Sequence, residues 1–117
     1  MTNFKRAERV ADLIRSEIAD IILKKVRNPR VVNLTITAVE MTDDLRMAKV
    51  FFVELGKDTC DPETRKSIEQ TKGFLRRELG KRLHLRYVPE LTFVLDESFA
   101  YGTRIEELLA EIGKKGA

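Results

Sequence analysis

The sequence predicts an α+β domain: a three-stranded sheet with helices packed on one face, in the order helix, strand, strand, helix, helix, strand and a short closing helix. Three observations predict it. Apolar residues recur at steps of three and four over 4–26, then at steps of two from Leu34, and the two periods alternate along the rest of the chain. Short polar and proline-bearing stretches separate the periodic runs, with no linker, repeat or low-complexity tract between them. A length of 117 residues suits one core, so residues 1–117 are expected to form a single domain.

Each element has its own warrant. Phe4, Ala7, Val10, Leu13, Ile14, Ile18, Ile21, Ile22 and Val26 make one apolar stripe on a first helix, which Asn28-Pro29 ends. Leu34, Ile36 and Ala38 alternate with Thr35, Thr37 and Val39, as in a strand with one buried face. MTDDL supplies turn residues, and RMAKVFFVEL over 46–55 returns as the second strand of a hairpin. Asp61-Pro62 opens the next helix, with aspartate as cap and proline in the first turn. Two helical runs, 62–72 and 73–86, are expected to meet at Gly73, the second carrying Leu75, Leu79 and Leu83 as its apolar stripe. Val88-Pro89 breaks that run, ELTFVLDES forms a third strand, and Thr103-Arg104-Ile105-Glu106 fits a capping box opening the last helix.

Composition excludes several function classes. The N-terminal segment interrupts its apolar residues with charge every few positions, unlike a signal peptide or membrane span. Cys60 is the only cysteine and His84 the only histidine, so neither a cysteine metal cluster nor an intrachain disulfide is available. Cys60 sits in an acidic loop that disfavours a reactive thiolate, and Asp43-Asp44 read as turn residues rather than a metal pair. No nucleotide-binding glycine loop precedes Gly80-Lys81 or Gly56-Lys57. The chain is therefore expected to be no enzyme, and to need no cofactor, metal or small-molecule substrate.

Charge points elsewhere. The net charge is +3, but residues 1–30 carry eight basic and four acidic side chains, and residues 72–86 six basic and one acidic. Such asymmetry suits a polyanion met by one surface. A helix starting at Gly73 would present free backbone N–H groups to phosphate, with Lys72, Arg76, Arg77, Lys81, Arg82 and Arg86 around it. Lys5, Arg6 and Arg9, then Lys24, Lys25 and Arg30, extend the candidate footprint along the first helix. Aromatic residues are few and there is no Trp, so backbone and shape recognition of a structured RNA is favoured over base stacking. Two other readings compete: a DNA-binding helix-turn-helix over 62–86, and a protein-interaction adaptor docking through its acidic C-terminal helix.

Four stretches, RAERVADLIRSEIADIIL, VRNPRV, VEMTDDLRMAKVFF and RYVPELTFVLDES, resemble the bacterial ribosome-binding factor A family, and the αββααβ order is that of a type II KH domain. The resemblance implies a cytoplasmic assembly factor, and the chain is expected to act as a monomer. Such a factor binds the small ribosomal subunit and its ribosomal RNA late in maturation, and helps RNA folding and 5′-end processing, especially in the cold. It also implies an Ala-x-Gly kink between two helices, matched here by Thr71-Lys72-Gly73 with threonine in place of alanine. At such a kink Gly73 is expected to hold a positive φ or a close contact that larger residues resist.

Overall fold

The computed structural model describes residues 2–54, 57 and 59–98. Its elements are α1 (Thr2–Lys25), α2 (Pro29–Val32), β1 (Leu34–Met41), β2 (Met47–Glu54), α3 (Pro62–Leu83) and β3 (Glu90–Leu95). The expected closing helix lies outside the described residues. The strands are ordered β1-β2-β3, with β1 antiparallel and β3 parallel to β2. Parallel neighbours need a crossover, and α3 supplies it.

Side-chain alternation on β2 and β3 sends Ala48, Val50, Phe52, Leu91 and Phe93 to the helical side, where all five are buried. Met47, Lys49, Glu90 and Thr92 face the other way and are exposed. The core is completed by Ile14, Ile18, Ile21 and Ile22 of α1 and by Ile68, Leu75 and Leu79 of α3. Each such aliphatic side chain contributes roughly 1.5–3 kcal/mol on burial, which is what holds two helices of high charge content on one sheet. Leu13 departs from the expected stripe: it is 52% exposed, while Ala11 is buried in its place, because the inward positions run 7, 10, 11, 14, 18, 21 and 22.

The regular alternation expected of β1 is broken by a bulge. Ile36 pairs with Phe52 and Ala38 with Phe51, leaving Thr37 as the extra residue. Beyond it Val39 and Met41, not Ala38, pack against the core, opposite Val50 and Ala48. Thr37 Oγ1 donates to Asp96 Oδ2 at 2.5 Å. The hairpin turn matches the reading of MTDDL: Asp44 Oδ1 accepts from Thr42 Oγ1 at 2.6 Å and from the Arg46 N–H at 3.1 Å. Those bonds, the Thr42 hydroxyl first, hold the Asp44 carboxyl below its ordinary pKa.

Three local expectations are corrected. Asn28 does end α1, but it also caps a further short helix, α2, accepting from the Arg30 N–H at 3.0 Å. Asp61 occupies the N-cap position of α3 without a side-chain capping bond; its carboxylate takes Lys57 Nζ at 2.6 Å instead. The third concerns Gly73. The runs 62–72 and 73–86 are one helix continuing through it to Leu83, where His84 turns into the left-handed region at φ 49°. Gly73 takes no positive φ, and a Cβ added there would meet nothing nearer than Arg77 Nη1 at 3.8 Å. Thr71 Oγ1 donates back to the Ser67 carbonyl at 2.8 Å, the ordinary mid-helix use of a hydroxyl rather than a cap. The helix-turn-helix alternative loses its turn with the kink.

The glycine that does serve close approach is Gly80, where an added Cβ would stand 2.9 Å from Val88 Cγ2. The segment after α3 folds back there, burying Pro89, and Arg76 pins it by donating Nη2 to the Val88 carbonyl and Nε to the Pro89 carbonyl, both at 3.2 Å.

Candidate nucleic-acid interface

With Thr64, Ile68, Leu75 and Leu79 turned inward, α3 presents Lys66, Gln70, Gly73, Arg77 and Lys81 at steps of three and four along its exposed side. Lys66 and Arg77 have no ion pair among the described residues. Lys81 is 74% exposed, with Glu78 no nearer than 3.8 Å. Gly73 sits exposed mid-stripe, and Arg77 Nη1 lies 3.8 Å from where its Cβ would stand, so the guanidinium reaches back over the glycine. Cations spaced along one exposed line suit the phosphates of a phosphodiester strand. Beyond the helix end, the Arg86 guanidinium lies 5.5 Å over the ring of Tyr87, itself 63% exposed. That pair offers a cation and a stacking plate.

Other sequence candidates are committed to packing. Arg76 holds the Val88 and Pro89 carbonyls. Arg82 reaches back to α1, donating to Glu17 Oε2 at 2.9 Å and Asp20 Oδ2 at 2.7 Å, and these bonds raise its own pKa and lower that of Asp20. Lys25 bonds the nearly buried Glu78 at 3.1 Å, Lys24 pairs with Asp20 at 3.1 Å, and Lys72 with Glu69 at 2.9 Å. Through their bonds Arg76 and Arg82, two of the six basic residues in 72–86, join α3 to its surroundings. A charge count along the chain cannot register them, because Glu17 and Asp20 are more than 60 residues from Arg82. Without a second helix start at Gly73, no free N–H groups are presented there either.

Arg30 sits at a buried polar node. Its Nη1 donates to Thr64 Oγ1 at 3.5 Å, and Thr64 donates to Glu54 Oε1 at 3.1 Å, with Lys57 Nζ 3.7 Å from the same oxygen. Thr64 and Glu54 are buried, and Glu54 Oε2 has no hydrogen-bond partner. Lys5, Arg6 and Arg9 stay exposed near the start of α1. They lie eight or more residues before Glu17, so roughly 12 Å or more along the helix from its junction with α3. The structure therefore places Arg77 and Lys81 one turn apart on the exposed side that carries Gly73, leaves Lys5, Arg6 and Arg9 as a separate cluster, and removes Arg76, Arg82 and Lys25 as free cations. The charge count over 72–86 misses Lys66, although its spacing of seven from Gly73 is visible in the sequence.

Nothing in the described part assembles a reaction centre. Burial pushes the Cys60 thiol up, away from the thiolate, and His84 is exposed at the helix end. Among the described residues no group of three His, Cys, Asp or Glu converges on a possible metal position, and no helix is long and apolar enough to cross a membrane.

A ribosome-binding factor A from Syntrophus aciditrophicus is 58% identical over 98% of this chain and 94% of its own length. In fold, the crystal structure of ribosome-binding factor A from Thermus thermophilus superposes with a TM-score of 0.66 at 19% identity, covering 76% of this chain and 94% of that one. A homology model of the Thermus thermophilus protein, fitted into a cryo-EM map of a 30S–RbfA complex, has a TM-score of 0.63 at 19% identity, covering 75% and 92%. The model of the family described as ribosome-binding factor A matches residues 6–109, from the first turns of α1 to well beyond β3, and the chain belongs to that family.

Proposed function

We propose that this protein is a non-catalytic assembly factor that binds the small ribosomal subunit late in its maturation. It does so by laying the exposed side of α3 along the phosphate backbone of ribosomal RNA. The observation that carries the reading is the line of Lys66, Arg77 and Lys81, cationic and exposed on the side of α3 that carries Gly73. The 30S complex of the Thermus relative supports the choice of subunit. In this reading the protein acts as a monomer in the cytoplasm, and its grip favours the mature fold of the RNA near its 5′ end. Processing then proceeds on a correctly folded substrate, and the help matters most in the cold, where misfolded RNA escapes slowly.

Lys5, Arg6, Arg9 and Arg86 with Tyr87 extend the interface at its margins, each as a phosphate or stacking contact. Co-sedimentation with small, large and joined subunits tests the partner. The protein is expected to pellet with small subunits and to be left behind by large ones. Equal recovery with both, or recovery with neither, would refute the reading.

A further inference from the structure

The first half of α1 and the end of β1 enclose an open groove of about 600 Å³. Its floor is apolar and low: Ala7 and Ala11 are buried beside Val39 and Met41. Glu8, Asp12 and Asp43 line it, exposed and without an ion pair among the described residues. Lys5, Arg6 and Arg9 share the same turns of α1 at other helical angles, and Lys49 stands opposite Glu40 across the strand pair. A second feature coincides with the groove. β1 is an edge of the sheet, with β2 on one side and no strand on the other among the described residues. Its outward row of N–H and C=O groups can therefore pair with another chain. The bulge at Thr37 divides that edge into two regular runs, and the second, Ala38 to Met41, is where the groove lies.

We propose that this groove docks an extended, lysine- or arginine-bearing segment of a partner protein, added to the free edge of β1 as a further strand. Backbone pairing along residues 38–41 supplies register. The small side chains at Ala7 and Ala11 leave room for alternate residues of the added strand. Glu8 and Asp12, one helical turn apart, and Asp43 beyond the strand end receive its cations. Charge selects the occupant: the same carboxylates repel phosphate, so RNA is excluded from this surface although the protein as a whole carries +3. The surface thus goes beyond the proposed RNA contact on α3 and gives the protein a second, protein-directed face.

The test is an NMR titration of the isotope-labelled full chain with a capped eight-residue peptide alternating lysine and valine. The amides of Val39, Glu40 and Met41 are expected to shift and to exchange more slowly with solvent. The double variant Glu8→Lys/Asp12→Lys, on two exposed helical positions, is expected to weaken binding about fivefold or more. Glu63→Lys/Glu69→Lys on α3 is expected to leave it within about twofold, and a glutamate–valine peptide is expected not to bind. Shifts centred on α3, equal weakening in the two double variants, or an RNA oligonucleotide moving the β1 amides as strongly would overturn the proposal.

Discussion

Gly73 and Gly80 lie seven residues apart in the same helix, and alanine at each is expected to change stability with opposite sign. In a helix interior the change from glycine to alanine gains about 0.8–1 kcal/mol from backbone entropy and shielding. At Gly73 that gain is realised in full, because the new methyl meets only Arg77 Nη1 at 3.8 Å, an ordinary contact with a movable side chain. At Gly80 the methyl stands 2.9 Å from Val88 Cγ2. Valine is stiff at χ1, and the backbone of residues 88–89 is pinned by Arg76 and by the burial of Pro89, so neither partner yields freely. Overpacking of this kind costs typically 1–3 kcal/mol, which exceeds the propensity gain. Chemical and thermal denaturation measure the difference. Gly73→Ala should raise Tm by about 4 °C, and Gly80→Ala should lower it by a similar amount or more. The companion variant Gly80→Ala/Val88→Ala should recover part of the drop. Equal stabilisation by both single changes would refute the close approach at Gly80, and destabilisation at Gly73 would restore a special conformation there.

Three further outcomes follow from the same regions of the fold. Arg76→Met keeps the apolar stem but leaves the Val88 and Pro89 carbonyls without their charged donor, and should cost about 1.5–3 kcal/mol by urea denaturation. Thr64→Val removes the hydroxyl from a buried Glu54 whose second oxygen already lacks a partner, and should cost about 1–3 kcal/mol, more than the same change at exposed Thr92. Arg82, then Lys24, holds the Asp20 carboxyl below its ordinary 3.8. A carboxyl depressed in the folded state contributes stability above its unfolded pKa and loses it as pH falls through the folded one. Stability should therefore decline from about pH 4 downward, and Asp20→Asn should show a shallower decline than the parent in a pH series of melts.

The elements were legible where one signal dominated. The three- and four-residue spacing of Ile14, Ile18, Ile21 and Ile22 and the alternation through Val50 and Phe52 are local, and the structure follows both. The bulge at Thr37 was not legible, since an extra residue in a strand depends on what the neighbouring strand pairs with. Gly73 misled because glycine's low helix propensity counts about 1 kcal/mol, and Ile68, Leu75 and Leu79 bury enough on either side to carry the helix through. Of the candidate site, charge located the helix, but only three-dimensional neighbours tell Arg77 from Arg76, or Lys81 from Arg82. Neighbouring arginines of one sequence type end up on solvent and on a carbonyl pair, respectively.

That division is the central claim, and one salt titration of small-subunit binding tests it directly. Lys66→Ala/Arg77→Ala/Lys81→Ala and Lys24→Ala/Lys25→Ala/Arg82→Ala remove equal charge from the same two-helix layer. The first is expected to keep its Tm, bind more weakly, and flatten the slope of log affinity against log salt by roughly 2 to 3, about 0.7 to 0.9 for each phosphate no longer neutralised. The second is expected to melt lower, because it breaks the Arg82 and Lys25 bridges, yet to keep the parent's slope. A flattened slope in the second variant with an unchanged slope in the first would contradict the account.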